Sequence, residues 1–103
     1  MRLLTLNVGG ASAKLAAWDL RDAEPRLLGG SELHRDAAVA VATFAADVAQ
    51  AAAALASELS IPRWDAVAHR IVHGGTRCRE PAFLDGRVRD AIRDATPLAP
   101  LHN

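Results

Sequence analysis

Lysine is almost missing from this sequence: Lys14 is the only one in 103 residues, and arginine supplies the rest of the 12 basic side chains. Twelve acids balance them, so the chain has no global basic field to draw in nucleic acid or an acidic membrane surface. Cys78 is the only cysteine, which excludes an internal disulfide and fits a reducing compartment. Aromatic residues are few, and Trp18, Phe44 and Trp64 are read as core or rim packing rather than a stacking platform. The longest apolar run worth testing, Ala37 to Leu59, is dominated by alanine and carries Asp47, Gln50 and Glu58, so it fails as a membrane span. Met1 to Leu6 is too short for a signal-peptide core and runs straight into polar residues. The expected location is cytoplasmic.

What remains is half apolar, which predicts one globular unit with a modest core. Leu3 to Leu6 reads as a buried strand, followed by a turn at Gly9-Gly10. Lys14 to Leu20 reads as the returning strand of a hairpin, and Arg26 to Leu33 as a third strand whose two glycines weaken it. In Ala37 to Leu59, Val41, Phe44, Val48, Leu55 and Leu59 form one helical stripe, ended by Ile61-Pro62. Ala66 to Val72 reads as a fourth strand. Asp85 caps a short helix carrying Val88, Ala91, Ile92 and Ala95. This order predicts an α/β fold whose first three strands form a meander with a crossover to the fourth.

Three clusters carry residues suited to chemistry. In Asn7-Val8-Gly9-Gly10-Ala11-Ser12-Ala13-Lys14, glycines let the backbone turn sharply, and its N–H groups form a nest for phosphate oxygens. Asn7 offers a neutral oxygen for Mg²⁺ or its waters, and Lys14 a mobile point charge. The spacing is neither a Walker A loop nor GxGxxG, and a plain glycine hairpin with a surface lysine is the alternative. In His69-Arg70-Ile71-Val72-His73-Gly74-Gly75, alternation puts Arg70 and Val72 on one face and the histidines on the other. Arg70 suits a carboxylate or phosphate clamp. A partly buried strand with satisfied histidines is the alternative, and the absence of a neighbouring cysteine or carboxylate speaks against zinc. Leu98-Ala99-Pro100-Leu101-His102-Asn103 reads, by itself, as a frayed terminus. The arginines at 77, 79, 87, 89 and 93 interleave with Glu80, Asp85, Asp90 and Asp94, the pattern of a solvated helix face.

Taken together and in order, these three clusters resemble the acetate kinase family. That family opens with a strand ending in Asn, a Gly/Ser-rich turn and a Lys, continues with a His-Arg-Ile-Val-His-Gly-Gly-like segment, and then with a Pro-Leu-His-Asn-like segment. The later two separate it from butyrate kinases. The resemblance spans the whole chain. It implies a ribonuclease-H-like mixed sheet, part of the N-terminal domain of an actin-like ATPase fold. By position, Asn7 would help hold Mg²⁺ (or Mn²⁺), and Lys14, Ser12, Gly9 and Gly10 would bind ATP phosphates. Arg70, Val72 and Leu101 would bind the substrate carboxylate and its methyl group, with His102 nearby. The implied activity is reversible phosphoryl transfer between ATP and acetate, giving acetyl phosphate and ADP. Gly10 and Ala11 stand where the family usually has serine.

Family members are several times longer, with a cleft between two domains and a homodimeric assembly. Residues 1–103 are therefore expected to be a partial N-terminal domain, with the second domain absent and no turnover alone. A non-catalytic phosphate- or nucleotide-binding domain, a piece of a propionate kinase and a structural domain that inherits only the fold remain as alternatives.

Overall fold

Alternating burial builds the first three strands, β1 (Arg2–Val8), β2 (Ser12–Asp19) and β3 (Arg26–His34). They are followed by α1 (Val41–Glu58), β4 (Ala66–His69) and α2 (Gly86–Ala95) in the computed structural model, which describes residues 1–71 and 80–95. The chain divides into two compact units, Met1–Arg70 and Ile71–Asn103. In the first, four strands form a mixed sheet in the order β3-β2-β1-β4. β1 pairs antiparallel with β2 and parallel with β4, and β2 pairs antiparallel with β3. This is the meander and crossover that the sequence predicts.

Period-2 alternation sends Ala13, Leu15 and Ala17 of β2 and Leu4 of β1 to one face, where they are buried with Phe44, Val48 and Leu55 of α1 and with Ile61. Three of the five stripe residues predicted for α1 are therefore core; Val41 is exposed and Leu59 is partly buried. Small residues bring the helix close. A Cβ on Gly29 would stand 3.2 Å from a Leu59 methyl, and one on Gly30 would stand 2.9 Å from the Leu15 carbonyl oxygen. Gly29 thus lets β3 lie under the end of α1 and Gly30 lets it lie close against β2, beside a register shift between Ala17 and Trp18, and the strand survives despite them.

Several predicted boundaries shift. The helix begins at Val41 rather than Ala37, because Asp36 forms a turn: its side chain accepts the Ala38 N–H (2.9 Å) and its carbonyl the Val39 N–H (2.9 Å). The helix ends at Glu58 through a backbone cap rather than at the proline. Ile61 N–H donates to the Ala56 carbonyl (2.7 Å) and Ser60 N–H to Ser57 (3.1 Å), with Ser60 at φ 55°. This is a Schellman cap with serine in the left-handed position that glycine prefers. β4 stops at His69 rather than Val72, and its last bond to β1 is Arg70 N–H to the Leu6 carbonyl, 3.0 Å.

In the second unit, α2 starts at Gly86, and Asp85 caps it as predicted. Its carboxylate accepts the Val88 N–H at 2.9 Å, and its carbonyl accepts the Arg89 N–H at 2.9 Å. Ala91 and Ala95 are buried, and Arg93 pairs with Asp90 one turn back.

Asp19, at the end of β2, is buried to 4% exposure and meets three guanidinium groups: Arg21 at 2.6 Å, Arg26 at 3.6 Å and Arg2 at 3.8 Å. The Arg21 side-chain hydrogen bond, followed by the Arg21 backbone N–H, holds the Asp19 carboxyl well below the usual carboxylate range, against the opposing effect of burial. A lowered native pKa contributes stability that is fully present above the unfolded pKa, about 3.9, and is lost as pH falls through the native value.

Two measurements check this description. Ser60→Gly is expected to raise the unfolding free energy by about 1 kcal/mol, by relieving a side chain in the left-handed region. Urea unfolding reads it, and an unchanged or lower midpoint contradicts the cap. Asp19→Asn is expected to lower the melting temperature at pH 7. The gap from the unaltered chain should begin to narrow below about pH 4, where the unfolded carboxyl takes up its proton while the folded one still resists it, and go on narrowing as the pH falls toward the native value. A gap that persists unchanged to pH 2 contradicts the electrostatic role.

Candidate functional site

Strand register decides which polar residues meet. Asn7 of β1 lies directly opposite Lys14 of β2. On the other side of β1, Leu6 aligns with His69, so Arg70, one residue on, comes level with Asn7. Neighbouring strands are about 4.8 Å apart, so Lys14, Asn7 and Arg70 form one row across three strands. Alternation puts the row on the face opposite the α1 core: Leu6 and Leu15, next to Asn7 and Lys14, are the residues that turn toward the helix side. Asp65 pins this arrangement at the far end of β4. Its N–H donates to the Arg2 carbonyl (2.9 Å) and its carboxylate accepts the Arg2 N–H (2.7 Å).

The row borders a concavity of about 410 Å³ lined by Thr5, Asn7, Lys14, Ala16, Ala68 and Arg70, with Leu6, Leu15 and His69 between them. Thr5 is held there by the Trp18 indole N–H, which donates to its hydroxyl at 3.0 Å. Trp18 is thus rim packing, as the sequence reading has it. Lys14 and Arg70 carry charge of one sign, and among the described residues no carboxylate lines the concavity. Such a surface fits an anion with separated negative oxygens, such as a phosphate or a carboxylate.

The other predicted site residues lie elsewhere. Ser12 belongs to β2 rather than to the turn, two residues ahead of the strand start expected at Lys14, because β1 runs on to Val8 and pairs it with Ala13. Only residues 9–11 remain as the turn, closed by Gly9 N–H donating to the Ser12 carbonyl at 2.8 Å. Gly9 has no left-handed backbone, and a Cβ on it would meet only the Ser12 carbonyl, at an ordinary 3.8 Å. Gly9, Gly10 and Ser12 do not line the concavity; the glycines lie in the turn and Ser12 is the first residue of β2. Val72, Leu101, His102 and Cys78 lie outside the described residues.

For a divalent cation the donor set is thin. Asn7 offers one amide oxygen, and among the described residues no three His, Cys, Asp or Glu side chains stand together as a metal cage. That set fits Mg²⁺ only as an ion that keeps most of its waters and arrives with phosphate oxygens.

Two residues escaped the sequence reading. Glu32 stands directly opposite Lys14 on β3, with its carboxylate 3.7 Å from the His34 ring. Arg35 reaches back from the end of β3 to the carbonyls of the glycine turn. Counting pairs outward from the hairpin would have found Glu32, whereas nothing in the spacing signals Arg35.

The acetokinase family sequence model matches residues 29–103. The chain belongs to the acetokinase family. It is similar to the acetate kinase of Deinococcus deserti, with 38% identity over a 119-residue alignment covering 100% of this chain and 30% of the relative. It is also similar to the acetate kinase of Streptomyces avermitilis, at 33% identity over 99% of this chain and 30% of the relative. This acetokinase chain thus spans about 30% of the length of the curated relatives it matches along its whole length. Two solved structures share its fold: Porphyromonas gingivalis acetate kinase (TM-score 0.71, 23% identity, 99% of this chain, 31% of that one) and a Francisella tularensis propionate kinase (0.71, 19%, 98% and 30%). The Asn7–Lys14 segment lies outside the span matched by the family sequence model but inside the alignment with the Deinococcus relative.

No helix among the described residues is long and apolar enough to cross a membrane.

Proposed function

We propose that this chain carries one wall of a phosphoryl-transfer site that acts between ATP and acetate, giving acetyl phosphate and ADP. The observation that supports the reading most directly is the row Lys14–Asn7–Arg70 on one face of the sheet, in a chain of the acetokinase family. In this reading Lys14 binds nucleotide phosphate as a point charge. The Arg70 guanidinium holds the carboxylate or acyl phosphate with its planar fork. Asn7, between them, would help hold Mg²⁺ or Mn²⁺ through its amide oxygen or the ion's waters. The metal, when bound, offsets charge on the phosphate oxygens. The protein's own part is to hold the two substrates in line and to neutralise charge, since phosphoryl transfer asks for little covalent help. By resemblance to the family alone, Val72 and Leu101 would serve the methyl group of the substrate, and His102 would act with them.

The remaining wall would come from a further domain, because this chain corresponds to about 30% of its relatives' length. The reading takes the working enzyme to be a cytoplasmic homodimer. Calorimetry with Mg-ATP on the 103-residue chain is expected to give weak saturable binding that Lys14→Ala abolishes. A coupled assay for acetyl phosphate and ADP on the same chain is expected to show no turnover. Binding unchanged in Lys14→Ala would sink the assignment of Lys14, and robust turnover would overturn the dependence on a second wall.

A further inference from the structure

The glycine turn of this chain lacks the hydroxyls that serines would supply, since Gly10 and Ala11 occupy its centre. A side chain from the end of β3 supports it instead. The Arg35 backbone N–H donates to the Ala11 carbonyl at 2.7 Å. Its guanidinium Nη1 donates to the Gly10 carbonyl at 3.3 Å, and its Nε to the Val39 carbonyl at 3.0 Å. Val39 is itself held by the Asp36 turn, through its N–H to the Asp36 carbonyl at 2.9 Å. The fork of Arg35 is therefore fixed at its base and bridges two segments of chain.

The peptide plane turns this contact into a direction. In a trans peptide the carbonyl of one residue and the N–H of the next point to opposite sides, and the chain has no cis peptide bonds. Drawing the Gly10 carbonyl toward Arg35 turns the Ala11 N–H away from it. Drawing the Ala11 carbonyl toward β3 likewise turns the Ser12 N–H away. The one backbone bond that closes the turn uses the Gly9 N–H, so the Ala11 N–H has no backbone acceptor among the described residues. Two successive N–H groups turned from the carbonyls that Arg35 holds, the second on the first residue of the Lys14 strand, offer a small anion nest.

We propose that Arg35 is a positioning residue for this nest: by holding back the Gly10 and Ala11 carbonyls, it presents the Ala11 and Ser12 N–H groups to a phosphate that Lys14 also reaches. The proposal rests on the reading of the turn as a nucleotide-phosphate site. It adds the residue that orders the turn in place of serine hydroxyls. Arg35 touches no substrate; it removes the cost of ordering the turn when the anion arrives.

Amide NMR on the 103-residue chain tests it, with Mg-ATP as the probe and Arg35→Ala and Arg35→Lys as variants. In Arg35→Ala without ligand, backbone order at residues 9–12 is expected to fall while Val48 and Leu55 keep their hydrogen-exchange protection. The Kd for Mg-ATP is expected to rise about tenfold, the scale of one fixed hydrogen bond. Arg35→Lys can reach one carbonyl but not bridge two, so its Kd is expected to fall between the others. If the unaltered chain binds and Arg35→Ala binds equally well, the positioning role is overturned and the phosphate site stands. If the Kd rises only together with lost protection at Val48 and Leu55, Arg35 is a stabilising residue and the proposal fails. If the unaltered chain does not bind Mg-ATP, the phosphate-site reading fails and the role of Arg35 in it fails too.

Discussion

Everything that resembles a site in this chain depends on the pairing register of β1. The strand is central, antiparallel to β2 on one side and parallel to β4 on the other, and its two partners deliver Lys14 and Arg70 to either side of Asn7. Register is fixed by what lies on the opposite face. Leu4 of β1, with Ala13, Leu15 and Ala17 of β2, packs under Phe44, Val48 and Leu55. A slip of one residue would expose that set and bury Asn7 and Lys14 against the helix, so the hydrophobic core and the polar row specify each other. Asp65 does the same for β4, tying the strand to Arg2 through two hydrogen bonds at one end, so that Arg70 arrives at the other.

The support around this row is made mostly of backbone and small residues. Ala13 and Ala17 are fully buried, and Gly29 and Gly30 let α1 and β2 approach where any Cβ would crowd. The longest helix has no side-chain cap at Ala40 and ends on a serine in the left-handed region. Such a helix holds by packing rather than by its termini. At the end of the sheet away from the row, the Asp19 carboxylate collects three arginines and joins β1, β2 and β3. One end of the sheet is thus tied by charge, while at the other Lys14 and Arg70 border a concavity that no carboxylate lines among the described residues, with Glu32 opposite Lys14 on β3.

Much of this was legible in the sequence, and the rest was hidden for definite reasons. The order of elements, the α1 stripe and the Asp85 cap follow from periodicity and capping chemistry, which are local. The register was not readable, because it is set between strands. For that reason the returning strand is expected from Lys14 although it begins at Ser12, and Glu32 goes unrecognised opposite Lys14. The start of α1 was misplaced because Asp36 competes with the helix for backbone N–H groups. The role of Ser60 depends on one positive φ that its residue type does not favour. Arg35 was invisible because its partners are carbonyl groups, and every residue has one. Family membership was legible from motifs, and it did not need the turn, since the family sequence model matches from residue 29 onward.

The central claim is that Lys14, Asn7 and Arg70 act as one anion-binding wall. The most direct test is amide chemical-shift mapping of the 103-residue chain titrated with acetyl phosphate and, separately, with Mg-ADP. The account expects Lys14, Asn7 and Arg70 to shift together along one saturation curve for at least one of the two ligands, while Phe44 and Val48 on the opposite face stay still. Shifts confined to one of the three residues, or centred on the Asp19 cluster, would contradict it.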